Sequence, residues 1–300
     1  MERLVVGLEW FLNPDHIPFL VGLEQGWFRE AGLEIELVEP EEHLDAVDEI
    51  EAGTMDLAIT EPLHLVEDRA AGKSVVGFAR FLHTNGGVMY LAGKEIERPR
   101  DMAGARIQYP GAPGPGGPAI VKTMIEADGG DCDVAEFKPV NNGFYHTDAL
   151  LEDKADVATL AFYNFEIVEA RFRGHDAQFF ALKDWGVPDF CQLILVADPT
   201  VLEERSQVIE NFLKVLHRGI DFLHQHPRRA RQIYFDHTEA DPDGPLMNAI
   251  FDATAPCFTF DMSMAPDYYH RLAKWMNTTG LIDHRPEPAS MWTNRWVMGG

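Results

Sequence analysis

The first side chains with chemistry to offer follow a short aliphatic segment, Leu4–Leu8, and they are Glu9, Trp10, Asn13 and His16. The indole of Trp10 has a flat face for stacking, and its polar neighbours can hydrogen-bond the heteroatoms of a planar ring. A structural alternative stays open, since Trp10 could cover the first helix and His16 could bond nearby backbone groups. The pattern favours contacts to a flat heteroaromatic ligand.

A second polar group, Thr60, Glu61 and His64, follows the strand predicted at Met55–Ile59. His64 falls in the first turn of a predicted helix, where ligand contact and packing are both open to it. If the protein is an enzyme, His64, Glu61 and Glu9 are the residues able to act as acids and bases.

A glycine- and proline-rich stretch, residues 110–118, contains Gly111 and Gly114. Glycines let backbone N–H groups approach a phosphate or carboxylate. The prolines remove donors, however, and the order GxGxxG is absent. The stretch therefore predicts a loop, and both anion binding and a rigid turn stay open for it.

A fourth group, Tyr163, Asn164 and Glu166, follows the strand predicted at Val157–Leu160. A carboxylate forms strong, charge-assisted hydrogen bonds with amidine-like N–H donors. Glu166 is thus a candidate acceptor for a ligand amino group, with an ordinary surface acid as the alternative.

Strands and helices alternate before residue 90, which predicts a mostly parallel sheet. Asp15 is expected to cap the first helix. The predicted elements are strands at 4–8, 33–38, 55–59 and 75–81, and helices at 15–25, 45–52 and 62–71.

The alternation restarts after Asp101 and predicts a second α/β module, which contains strands at 106–109, 135–140 and 157–160 and helices at 119–127, 147–154 and 163–173. Val88–Ala92 and Leu193–Ala197 are suited to two hinge strands, with a strongly amphipathic helix after the second. These patterns predict lobe 1 from residues 1–90 and 198–300 and lobe 2 from residues 91–197.

In open α/β sheets ligands bind beyond the carboxyl ends of the strands. If the two lobes face each other, all four polar groups converge on one cleft.

The composition excludes several classes of partner. There are 49 Asp and Glu against 25 Lys and Arg, a formal charge of −24, and a field of that sign repels nucleic acid and anionic lipid. No apolar run is long enough for a membrane span. The three cysteines lack metal-site spacing, and the common catalytic motifs are absent. The N-terminus lacks a secretory pattern, which indicates a cytoplasmic protein as written, or an extracytoplasmic one if a leader has been removed.

The segments Leu8–His16 and Gly26–Leu33 resemble the opening of a known superfamily. It comprises the N-formyl-aminopyrimidine-binding proteins of thiamine-precursor importers and the yeast-type thiamine pyrimidine synthases. The resemblance continues through Gly53–Ala58 and Phe162–Glu166 and covers most of the chain. It implies a type II periplasmic-binding fold, an α/β architecture of two Rossmann-like lobes joined by two hinge strands. It also implies that Trp10 stacks on a pyrimidine, that Glu166 receives its amino group, and that His64 resembles the histidine that the synthases consume.

Three departures from the superfamily bear on function. The synthases have a pyridoxal-phosphate lysine where this chain has Thr60, and a cysteine-rich iron-binding cluster where it has Pro188–Gln192. Glu9 replaces the usual Asp or Asn before the tryptophan. We therefore expect a small-molecule-binding protein for a pyrimidine-like, planar ligand, with no cofactor and with an ABC permease as partner if it serves a transporter. The alternative is a cytoplasmic enzyme on the same scaffold, either a divergent pyrimidine synthase or a decarboxylase- or dehydratase-like lyase.

Overall fold

The computed structural model of the protein describes residues 1–40 and 46–297. The chain divides into two compact units. Unit 1 comprises Met1–His83, Gln192–Ala273 and His284–Gly300, and unit 2 comprises Thr84–Cys191 and Lys274–Asp283.

The secondary structure is mixed α/β, as the alternation predicts. The strands are β1 (Glu2–Gly7), β2 (Leu33–Val38), β3 (Leu57–Thr60), β4 (Val76–His83), β5 (Gly86–Leu91), β6 (Arg106–Gln108), β7 (Lys138–Val140), β8 (Val157–Phe162), β9 (Ala177–Ala181) and β10 (Gln192–Ala197). The helices are α1 (Ile17–Glu24), α2 (Trp27–Glu30), α3 (Ala46–Ala52), α4 (Pro62–Ala70), α5 (Gly116–Ala127), α6 (His146–Leu151), α7 (Val168–Phe172), α8 (Pro199–Glu204), α9 (Ser206–Gln225), α10 (Pro227–Asp236), α11 (Pro245–Thr254) and α12 (Pro266–Thr278). Short 3₁₀ turns, including Pro14–His16, and a π-helical turn at Tyr163–Ile167 complete the set.

The sheet of unit 1 has the strand order β2-β1-β3-β10-β4. β1 runs parallel to β2 and β3, whereas β10 enters from the far part of the chain and runs antiparallel to β3 and β4. β3 is buried along its whole length, because it lies between β1 and β10 in the sheet and packs against α3. A strand in this position must be apolar on both faces, as Leu57–Ile59 is.

The core of unit 1 is strongly aromatic where α1 meets α9. Phe19 of α1 packs edge-on against Phe81 of β4, with ring centroids 5.4 Å apart, and Phe28 stacks on Phe212 at 5.8 Å. The buried stripe of α9, from Ile209 to Leu223, is the amphipathic face that the sequence predicts. Burying this stripe draws α9 tightly against α1.

The sheet of unit 2 has the strand order β7-β6-β8-β5-β9. β6 runs parallel to β7 and β8, and β5 runs antiparallel to β8 and β9. The pairing of β5 with β8 shifts register between Gly87 and Met89. On the opposite strand Leu160 takes a left-handed backbone conformation, with φ of 61°, which identifies a β-bulge.

Several predicted boundaries differ from the structure. The helix predicted at 163–173 is divided into the π-helical turn and α7, and the strand predicted at 135–140 opens as a 3₁₀ turn, Val134–Glu136, capped by Asp133. The helix predicted at 147–154 is shorter, and the edge strand β9 has no counterpart in the sequence analysis. Asp45, the predicted start of the third helix, lies outside the described residues.

The division of the chain falls earlier than the predicted lobe boundaries at residues 90 and 197. β5 is hydrogen-bonded on both sides by strands of unit 2, and β10 lies between two strands of unit 1. Each strand therefore belongs wholly to one unit, and the chain passes between units just before it, at His83–Thr84 and Cys191–Gln192. The segment Lys274–Asp283 also belongs to unit 2. Across residues 1–40 and 46–297, none of the helices has the length and apolar character that crossing a bilayer requires.

The close approach of α1 and α9 depends on Gly219. A Cβ at this position would lie 2.4 Å from the Pro18 carbonyl oxygen, so the two helices would have to separate. We expect Gly219→Ala to lower the free energy of unfolding by about 1–3 kcal/mol, as measured by urea denaturation. Gly116→Ala is the control, because a Cβ there meets nothing within 4 Å. Equal stability of the two variants would contradict this account of the helix contact.

Candidate functional site

The carboxyl ends of β1 and β3 lie side by side in unit 1. Val6 pairs with Leu57 and Gly7 with Ala58 in parallel register. Continuing that register places Glu9 next to Thr60, so the first two predicted groups meet at one edge of one sheet. This is the edge at which α/β proteins bind ligands.

The turn after β1 is organised by Asn13. Its side-chain oxygen accepts a hydrogen bond from the Asp15 N–H at 2.8 Å, and its Nδ2 donates to the Phe11 carbonyl at 2.9 Å. Asn13 therefore caps the 3₁₀ turn Pro14–His16, the role expected of Asp15. The side chain is fully buried, with both polar atoms engaged in its own loop, so a contact between Asn13 and a ligand stays a prediction.

His16 contacts Glu9 and, like Asn13, is fully buried. Its Nδ1 accepts the Asn13 N–H at 3.1 Å, and its Nε2 lies 3.1 Å from Oε2 of Glu9. Burial lowers the pKa of His16, but the neighbouring Glu9 carboxylate more than offsets this and raises the pKa above its ordinary value. The structure thus pairs His16 with Glu9, whose side chain is 18% exposed.

Trp10 follows Glu9 directly in the same turn. It is partly exposed, and its ring centroid is 4.2 Å from that of Phe11 at a tilt of 51°. Phe11 is among the most exposed large apolar side chains of the described chain. Two adjacent aromatic rings at a strand end suit the stacking of a planar ligand.

On the neighbouring strand, Thr60 ends β3 and is buried, while Glu61 occupies the N-cap position of α4. Although part of Glu61 stays accessible, burial raises its pKa to about 7, and the negative charges of Glu9 and Glu67 act in the same direction. The charge of His64 opposes them. Glu61 is therefore balanced between its neutral and charged forms near neutral pH.

His64 lies one turn into α4, and its Nδ1 is 3.3 Å from Oε2 of Glu67. Burial lowers the pKa of His64, but the hydrogen bond with Glu67 and the charge of Glu61 outweigh it, so the pKa is raised. The side chain is 43% exposed, so solvent screens these charges. Within the described part of the chain, no three or more His, Cys, Asp and Glu side chains are grouped so that they could hold a metal ion.

In unit 2, the glycine-rich stretch forms a tight turn after β6. Gly111 has φ of 77°, in the region that favours glycine, and its carbonyl accepts from the Gly114 N–H at 2.9 Å. The Tyr109 hydroxyl donates to the Gly114 carbonyl. α5 already begins at Gly116, so the loop is shorter than predicted. These bonds favour a rigid turn, and contact of Gly111 and Gly114 with an anion stays a prediction.

The fourth predicted group, which also lies in unit 2, is positioned by the π-helical turn. The Glu166 carboxylate accepts from the Phe162 N–H at 2.7 Å, and the Asn164 side-chain oxygen accepts from the Thr84 hydroxyl at 2.9 Å. Both side chains are buried. Tyr163 is the exposed member of the group, and its hydroxyl accepts from Arg171 at 3.1 Å. Asn164 and Glu166 thus stabilise the turn that presents Tyr163.

The structure adds two aromatic residues that the sequence analysis did not select. Phe11 follows β1, and Tyr145, which is 70% exposed, follows β7 immediately before α6. Each is an aromatic residue in a loop after a strand. That pattern is the signal by which sequence could identify them, although the helix predicted to begin at residue 147 starts one residue earlier, directly after Tyr145.

The two sheets and their strand orders define the class. The structure superimposes on the periplasmic aliphatic sulphonate binding protein SsuA of Escherichia coli with a TM-score of 0.77 at 12% identity, covering 100% of this chain and 95% of that chain. A Candida albicans protein with the generic periplasmic binding protein fold gives a TM-score of 0.70 at 14% identity, covering 98% and 97%. The protein has the periplasmic binding protein fold, which confirms the predicted fold class.

The family follows from the sequence. Residues 13–230 match the model of the NMT1/THI5-like family, and because that is more than half of the chain, the protein belongs to this family. It is 28% identical to a formylaminopyrimidine-binding protein of Halalkalibacterium halodurans over 83% of this chain and 74% of the relative. It is 25% identical to a 4-amino-5-hydroxymethyl-2-methylpyrimidine phosphate synthase of Legionella pneumophila over 99% and 92%. The resemblance seen in the sequence is confirmed.

The contribution of the Asn13 cap to stability can be measured without a ligand. We expect Asn13→Ala to lower the free energy of unfolding by about 1 kcal/mol, because the Asp15 N–H loses its acceptor. Asn13→Ser should retain most of the stability, since a serine hydroxyl accepts the same bond. Thermal denaturation followed by circular dichroism measures the difference. Alanine and serine variants of equal stability would show that the cap contributes little.

The raised pKa of Glu61 predicts a pH-dependent stability. The folded state holds the proton up to about pH 7, whereas the unfolded state releases it near pH 4.5, the ordinary value for Glu. The favourable contribution of neutral Glu61 is therefore lost as pH rises through this window. We expect the melting temperature of Glu61→Gln, relative to the wild type, to be higher at pH 8.5 than at pH 4.5. Glu204→Gln, at an exposed site, is the control; a shift of Glu61→Gln that does not change with pH would refute the prediction.

Proposed function

We propose that the protein binds a small, planar, pyrimidine-like molecule at the carboxyl ends of β1 and β3. The observation that carries this proposal is the turn after β1, where a partly exposed Trp10 adjoins a carboxylate, Glu9, held in place by His16. A stacking face beside a fixed hydrogen-bond acceptor is the minimum that recognition of a heteroaromatic ring needs. Membership of the NMT1/THI5-like family and the formylaminopyrimidine-binding relative support the same ligand class.

Unit 2 carries candidate ligand residues of its own. Tyr163 exposes its ring after β8, and a carboxylate such as Glu166 can accept from more than one donor. In this proposal Tyr163 offers an aromatic face, and Glu166 is an acceptor for a ligand amino group. The buried Asn164 then acts by holding the π-helical turn in place.

The proposed setting is uptake or handling of a thiamine precursor, with an ABC permease as partner. The fold is shared with the ligand-binding component of an ABC-type import system from Staphylococcus aureus, and a binding protein of this kind needs no catalytic group. The negative charge of the chain is compatible with a neutral or cationic ligand.

A pyrimidine synthase on the same scaffold is the second candidate, and the Legionella relative, aligned over 99% of this chain, favours it. His64 and Glu61 could also transfer protons at neutral pH. Thr60, however, has no amine with which to form a Schiff base, and Pro188–Gln192 contains one cysteine, Cys191, which is fully buried. These residues make binding the better-supported function.

Isothermal titration calorimetry with formylaminopyrimidine and 4-amino-5-hydroxymethyl-2-methylpyrimidine tests the proposal. We expect saturable heat with at least one of them, and we expect Trp10→Ala to weaken binding by about 5- to 150-fold, the equivalent of about 1–3 kcal/mol for stacking on an aromatic side chain. Phe172→Ala, which removes an exposed aromatic ring from α7, should bind like the wild type. Absence of heat with both pyrimidines would remove the pyrimidine from the proposal.

The second candidate has its own readout. The protein would be incubated with pyridoxal phosphate and iron(II) under air, and pyrimidine phosphate would be sought by mass spectrometry. Its formation would establish a synthase, whereas binding without product supports a binding protein.

A further inference from the structure

In the turn after β1, hydrogen bonds connect the Asn13 N–H, the His16 imidazole and the Glu9 carboxylate, and the donor and acceptor of each bond can be assigned. A backbone N–H can only donate, so the bond from Asn13 N–H to Nδ1 of His16 at 3.1 Å leaves the proton of a neutral imidazole on Nε2. That Nε2–H then donates to Oε2 of Glu9, 3.1 Å away. The chain of bonds runs from backbone to imidazole to carboxylate.

This arrangement fixes the orientation of Glu9. A glutamate side chain has several rotamers, and ordering it costs conformational entropy. His16 is fully buried and rests on the capped turn, whereas Glu9 is 18% exposed. The bond to His16 engages one acceptor site of Oε2, so the carboxylate keeps acceptor capacity, on Oε1 above all, for a molecule at the edge of the sheet.

Around Glu9, His16 and Glu61, the neighbouring carboxylates outnumber the two imidazoles, His16 and His64. The groups that act on His16 are Glu9, Asp15 and Glu39. Those that act on Glu61 are Glu9, Glu67 and His64. Such a field disfavours a phosphate group and favours N–H donors, whether neutral or cationic.

We propose that His16 is a positioning residue for Glu9, and that Glu9 held in this way recognises an amino or amidine N–H on an unphosphorylated ligand. The inference rests on the proposed function, since it concerns the same site. It replaces the predicted direct contact of His16 with an indirect role. It also assigns Glu9 a selective role, favouring the free pyrimidine over its phosphate ester.

Matched variants test the positioning role by calorimetry with 4-amino-5-hydroxymethyl-2-methylpyrimidine. Glu9→Gln should weaken binding about tenfold or more, since an amide oxygen is a weaker acceptor than a carboxylate. His16→Leu should produce a similar loss. His16→Gln should recover much of the affinity, because its amide N–H can donate to Glu9 in place of the imidazole. Wild-type affinity in a folded His16→Leu protein would overturn the positioning role.

The phosphate ester of the same pyrimidine tests the selectivity. We expect the wild type to bind the ester at least tenfold more weakly than the free pyrimidine, and Glu9→Gln to narrow that difference. An ester that binds as tightly as the free pyrimidine would overturn the selective role of Glu9 while leaving pyrimidine binding intact.

A measurement without ligand separates this inference from the proposed function. Nitrogen-15 NMR of the His16 side chain should show the Nε2–H tautomer at a pH where the ring is neutral, and Glu9→Gln should lower the pKa of His16. If neither pyrimidine binds, the proposed function fails and the recognition of an N–H group fails with it, but these spectra still decide whether His16 is oriented toward Glu9. An Nδ1–H tautomer would overturn the inference whatever the ligand.

Discussion

The cap that Asn13 places on the turn after β1 is the interaction on which the candidate site depends. It fixes the direction in which the chain leaves the sheet, and the same residue's N–H orients His16. His16 in turn bonds the Glu9 carboxylate, and Trp10 stays partly exposed. The buried Asn13 amide thus holds the turn in which Glu9 is the hydrogen-bond acceptor and Trp10 the stacking face.

Much of this architecture could be predicted because it depends on local pattern. Apolar strands alternating with amphipathic helices predict the α/β order. The rule that ligands lie beyond the carboxyl ends of strands makes Trp10 and Glu61 candidate contacts. Register then brings the ends of β1 and β3 together. These features follow from burial of one or both faces of each helix and strand, and the spacing of apolar residues shows which faces are buried.

The remaining features depend on the three-dimensional path of the chain, which local sequence patterns do not determine. Asn13 and Asp15 are both good capping residues, and only the path of the turn decides that Asn13 accepts the bond. His16 and Asn164 are predicted as ligand contacts, and the structure buries both and bonds them within their own units. The division of the chain at His83–Thr84 likewise depends on which sheet completes the hydrogen bonds of β5.

The bulge in β8 has a consequence for how the chain can vary. Ala158 and Ala161 are three residues apart, yet both belong to the same buried cluster, because the extra residue at Leu160 reverses the alternation of faces. Deletion of one residue here would move every later side chain of β8 to the opposite face of the sheet. It would also change how the chain enters the turn that begins at Tyr163. Substitutions in this strand are therefore tolerable in evolution where a change of length is not, and homologous chains should keep the spacing between Ala158 and Tyr163 even where the residues differ.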